Sequence, residues 1–180
     1  NPGSKGATGM EKERDVRNRL MSLAEEGALP DPFGDCLALR KVVVRAGSLD
    51  LLLVGRRGDL GVVELKLSSD GQAGGAVVFQ LGAYFWSLAA MRGEDLWNGL
   101  KPEIRRRIQE FEPRLREKVF HRKSKSLKPK SVDLKRLHGY VAVDPGIRSS
   151  DGRFEGLKDG IRTMNAYLRA HHRKRIPPFK

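Results

Sequence analysis

Asp50, Glu64 and Lys66 are charged residues set inside two short apolar runs, residues 49–54 and 60–67. A buried charge without a partner is heavily penalised, so these positions need compensation. Two carboxylates supply hard oxygen donors for Mg²⁺, an ion that keeps several waters and also takes substrate phosphate oxygens. Such an ion acidifies a bound water and neutralises charge that builds on phosphorus. Lys66 would orient or deprotonate the attacking water, or stabilise the pentacovalent species. The residue types therefore fit a phosphodiesterase site. The bland alternative is an exposed Glu-x-Lys pair on one strand face, and the apolar Val62, Val63, Leu65 and Leu67 around it favour an interior strand instead.

The elements must bring these groups together. The runs 49–54 and 60–67 read as antiparallel strands joined by the connection 55–59, Gly-Arg-Arg-Gly-Asp. A turn centred near Arg57 or Gly58 pairs positions whose numbers sum to about 114–115, which sets Asp50 opposite the Glu64 region. Glu64 and Lys66 are two apart and share a face. A slip of one residue would turn Asp50 away.

The rest of the chain supplies a scaffold. A helix is predicted over 11–26, where Val16, Leu20, Leu23 and Ala24 recur at helical spacing and Gly27 follows. A strand is predicted over 37–45 and a turn over 46–48. After a Gly-rich loop at 68–75 comes a helix over 76–91, then a long basic helix over 102–119 with a possible break at Pro113, and an exposed loop over 120–130. A fourth strand spans 137–143 and a last helix 154–171. Hairpin-linked strands followed by a helical crossover imply an α/β fold with a central mixed sheet of four or five strands flanked by helices.

Residues 50, 64, 66 and the following helix together resemble the PD-(D/E)XK nuclease superfamily. An acid precedes a Glu-x-Lys strand, here Asp50 and then Glu64-Leu65-Lys66. The helix carries Gln80-Leu81-Gly82-Ala83-Tyr84, similar to the Gln-x-x-x-Tyr element of the RecB-like and lambda-exonuclease-like branch. Leu49 stands where the family pattern has proline, and nothing after Lys101 marks a subfamily. The resemblance implies a restriction-endonuclease-like core and a hydrolase that cuts DNA with Mg²⁺ or Mn²⁺, in repair, recombination, restriction or mobile-element processing. Asp50 and Glu64 would hold the metal, Lys66 would assist the water, Gln80 would complete the site and Tyr84 would touch nucleic acid. Many members add an acid from the first helix. Glu13 falls inside the apolar stripe of that helix and is the candidate metal ligand, with a simple first-turn anion as the competing explanation.

Composition bounds the partners. Thirty-five Lys and Arg against 22 Asp and Glu give a net charge of +13, which suits a polyanion. DNA is the expected partner, RNA less so, and a homodimer or larger complex is compatible. The acid-free stretch with Arg122, Lys123, Lys125, Lys128 and Lys130 is the expected phosphate-tracking segment, next to the mixed run with Arg105–Arg107, Arg114, Arg116 and Lys118. No apolar run is long enough to span a bilayer, so no membrane partner is expected. Cys36 is the single cysteine, which excludes a disulfide framework and fits a cytoplasmic, or in a bacterium nucleoid-associated, protein. Residues 1–9 read as a vector-derived tail, 10–175 as one nuclease-like domain with a basic segment at 101–130, and 176–180 as a C-terminal tail. The rival functional reading is a catalytically inactive nucleic-acid-binding module on a nuclease fold; a basic RNA or ribosome binder would leave the acidic cluster unused.

Overall fold

The computed structural model describes residues 9–66, 75–120, 132–143 and 152–172. In chain order they form helix α1 (Gly9–Glu25), strands β1 (Cys36–Leu39), β2 (Val42–Val44), β3 (Gly47–Leu49), β4 (Leu51–Gly55) and β5 (Leu60–Lys66). Helices α2 (Gly75–Ala90), α3 (Gly93–Gly99) and α4 (Pro102–Phe111), strand β6 (Leu137–Val143) and helix α5 (Gly152–His172) follow. The main sheet has the order β1-β4-β5-β6, with β6 parallel to β5 and the other pairs antiparallel. This is the mixed sheet flanked by helices expected from the sequence.

Alternation along the strands divides the core between two faces. Leu52, Val54, Leu60 and Val62 face α2, whose Val77, Val78, Leu81, Phe85 and Leu88 cover them. Leu51, Leu53, Val63 and Leu65 face the other way, toward Val16, Leu20 and Ala24 of α1. Both faces of β4 and β5 are buried, which is why these strands read as unbroken apolar runs.

The predicted strands 37–45 and 49–54 are each cut in two. The ladders β1/β4 and β2/β3 keep one shared register, with Leu39↔Leu52 in one and Val42↔Leu49 in the other. Carrying that register through the gap sets Lys41 opposite Asp50, and neither residue is paired. Lys41 has φ 57°, a left-handed backbone that an L residue adopts at a cost. The long hairpin therefore bends at these two positions, and β2/β3 forms a separate two-stranded arm.

The predicted helix 102–119 stops at Phe111. Glu112 is extended (φ −155°, ψ 100°), as a residue before proline is driven to be, and Arg116–Phe120 resumes as a single π-helical turn. Helix α3 was not foreseen. Its Leu96 and Trp97 are buried, and its first turn carries Glu94 and Asp95, with Asp95 gripped by Arg92 at 2.6 and 2.7 Å.

Candidate active site

The β4/β5 register pairs Leu51 with Val63 and Val54 with Leu60, the 114 sum anticipated from the turn. Its next step carries Asp50 to Glu64. Asp50 lies in the bend just before β4 and is outside the ladder. Its carboxylate takes over a ladder bond instead, with Oδ2 accepting the Leu65 N–H at 2.9 Å. The bend at Lys41 and Asp50 thus clamps the carboxylate to β5, where a regular strand would have offered a carbonyl.

Among the described residues Glu64 is the one charged residue that is buried, 2% exposed, and it projects toward α2 by strand alternation. Lys66 Nζ stands 3.7 Å from Glu64 Oε1. Among the described residues Glu64 Oε2 is buried without a hydrogen-bond donor. Burial is the largest influence on this carboxyl, the neighbouring Asp50 charge and a hydrogen bond with Asp50 add to it, and Lys66 opposes them; the outcome is a pKa pushed up to about 7. Two carboxyls and an ammonium therefore share one enclosed patch, and the acids compete for a cation or a proton.

Helix α2 closes one side of this region. Gln80 Nε2 donates to Tyr84 Oη at 3.0 Å, so the pair four residues apart does share a face. Tyr84 is buried, and its ring packs on Gly47 of β3 (φ 137°), where a β-carbon would stand 3.3 Å from the ring. In this placement Tyr84 ties β3, three residues before Asp50, to the helix that carries Gln80. Gln80 itself is exposed.

Glu13 is placed differently from its expected role. It pairs with Arg17 on its own helix, and α1 covers the sheet face opposite to the one Glu64 uses. No group of three or more His, Cys, Asp or Glu able to hold a metal occurs among the described residues, so the acidic pair Asp50–Glu64 is the candidate ligand set. Its orphaned Oε2 and its hard oxygens fit a small divalent cation completed by water and phosphate. Arg122, Lys123, Lys125, Lys128 and Lys130 lie outside the described residues. Lys41 carries no chemical signature in the sequence, though counting the hairpin back through its Arg45–Ala46 turn finds it opposite Asp50.

Other polar residues have structural duties. Arg56 bonds Asp35 Oδ2 at 2.6 Å and the Phe111 carbonyl at 2.7 Å and covers the Phe111 ring, pinning α4 to the β4–β5 turn. Burial and Asp35 push the Cys36 thiol up to about 11, far from a nucleophile's range. No described helix is long and apolar enough to cross a membrane. Comparison with protein-family models, curated proteins and solved structures found no match.

Proposed function

We propose that this protein is a divalent-metal-dependent nuclease that hydrolyses phosphodiester bonds in DNA, on a core of the restriction-endonuclease-like kind. The observation that carries the reading is the buried Glu64 carboxyl, whose Oε2 meets no hydrogen-bond donor among the described residues, beside the clamped Asp50 carboxylate and Lys66. Retaining such a group costs stability unless something binds it. The element order supports the same reading: a helix, an antiparallel three-strand meander, a helical crossover and a parallel fourth strand.

Asp50 and Glu64 would hold Mg²⁺ or Mn²⁺, which when bound supplies an acidified water and charge neutralisation at phosphorus. Asp50 keeps its orientation through the Leu65 N–H. Lys66 leaves its 3.7 Å partnership with Glu64 as the carboxylate turns to other work, and its ammonium then orients the attacking water or meets the phosphoryl oxygens. Gln80, steadied by Tyr84, lines the approach.

The test is cleavage of labelled single-stranded, duplex and branched DNA with Mg²⁺ and with Mn²⁺. Asp50→Ala and Lys66→Ala should each remove cleavage by at least about a hundredfold, the scale of a lost electrostatic contact to the transition state, and leave binding in EDTA near wild type. Cleavage by Asp50→Ala at the wild-type rate would end the assignment.

A further inference from the structure

At the other end of β5 from Glu64, three elements bring exposed cations together around Gly58. That glycine (φ 95°) is buried in the β4–β5 turn, and a β-carbon on it would stand 3.5 Å from Arg136 Nη1 and 3.8 Å from Lys118 Cβ. Arg136 donates to the Arg57 carbonyl, which fixes the turn Leu134–Arg136 against the hairpin. Arg57, Lys118 and Arg136 are all exposed, and come from the hairpin turn, the π-helical turn and the turn before β6.

The nearby acids leave this cluster net positive. Asp31 reaches Arg57 only at 3.9 Å with both side chains mostly in solvent, so that pair is weak. Asp59 is turned to His138 at 3.5 Å, Asp133 caps the Lys135 N–H at 3.1 Å, and Glu117 is the remaining exposed acid on the same π-helical turn as Lys118. Among the described residues the turn that gathers the cations is held by the Arg136 bond to the Arg57 carbonyl and by packing at Gly58.

We infer that Arg57, Lys118 and Arg136 form a remote phosphate-binding surface, and that β5 sets its distance from the cleavage site. Glu64 lies six positions beyond Gly58, roughly 15–20 Å at about 3.3 Å per strand residue with the turn allowed for. Duplex DNA rises about 3.4 Å per base pair, so the surface would grip backbone about five base pairs from the scissile phosphate. The partner is nucleic acid because a cluster of exposed guanidinium and ammonium groups in a chain of net charge +13 matches a regular row of phosphates. The distance rests on the nuclease reading; the surface itself does not.

Binding of fluorescein-labelled 24-base-pair duplex is measured in EDTA across a salt series, for wild type and for Arg57→Gln, Lys118→Gln and Arg136→Gln singly and combined. Each lost phosphate contact should lower the salt slope by about 0.9, and the triple variant should bind at least about tenfold more weakly at 100 mM salt. Arg136→Lys keeps the charge and should retain most of the affinity, which separates phosphate binding from damage to the turn; matching thermal melts check folding. Placing neutral methylphosphonates about five base pairs from the cut should weaken wild type and leave the triple variant unchanged. Wild-type affinity and slope in the triple variant would overturn the surface. Methylphosphonate effects confined to other positions would overturn the distance. If wild type cuts no DNA with either metal while the triple variant still loses binding, the nuclease reading fails and the surface stands.

Discussion

Glu64 is a carboxyl held where its charge is expensive. Its pKa is pushed up to about 7 because burial and Asp50 outweigh Lys66. A folded-state pKa above the unfolded value means that the protonated form contributes stability below about pH 4.5, and that this contribution is lost as pH rises through about 7. Above that range the metal-free protein carries an ionised Glu64 at a cost of roughly 3 kcal/mol, taken as an upper figure. Glu64→Gln keeps the shape and removes the titration. The variant should match wild type near pH 4.5 and become more stable than it by pH 8, read as a growing difference in urea midpoint without EDTA-resistant metal present. Adding Mg²⁺ at pH 8 should raise wild-type stability and leave Glu64→Gln nearly unmoved, since ligand binding to the folded state alone stabilises it. A pH-independent difference between the two would contradict the burial account.

The hairpin is the element that makes the site, and its bend is the part the sequence hid. Apolar runs mark residues 37–45 and 49–54 as strands, and the turn sum places Asp50 by Glu64, so the central pairing is legible. Periodicity reports side-chain faces, however, and carries no information about a single left-handed residue such as Lys41. The same limit explains Glu13. A helical wheel shows that it lies in the stripe of Val16 and Leu20, but not that the stripe covers the sheet face away from Glu64. Helix α3 escaped notice because seven residues barely fill two turns of any pattern. Since the bend clamps Asp50, it should be sensitive to backbone preference. Lys41→Gly relieves the left-handed cost and should be neutral or stabilising by up to about 1 kcal/mol, whereas Lys41→Val should cost about 1–2 kcal/mol. If the bend positions the carboxylate, Lys41→Val should also lower kcat on DNA more than it raises KM, while Lys41→Gly should leave kcat near wild type. Equal kinetics for both would detach the bend from the site.

Across the whole molecule the sheet separates a dense half from a looser one. The α2 face joins β-strands, α2, α3 and α5 in one apolar cluster, and the candidate carboxyls sit on that side. Among the described residues the α1 face has fewer elements over it and carries a half-open apolar pocket of about 170 Å³ lined by Leu20, Phe33, Leu53, Tyr140 and Ala142 among others. An apolar void forfeits dispersion contacts on its walls, so the two halves should respond oppositely to added and removed volume. Leu81 is fully buried on the dense side, and Leu81→Ala should cost about 2–5 kcal/mol. On the loose side Ala142→Val adds two carbons next to the void on a strand that favours β-branching, worth about 1–1.5 kcal/mol of added stability. Urea denaturation should show the Ala142→Val midpoint rising with an unchanged slope, the sign of altered stability without altered compactness. Amides of α1 should exchange through openings of lower energy than those of α2, and Ala142→Val should slow the α1 set selectively. A lowered midpoint would mean that the void is too narrow at Ala142 for the added carbons.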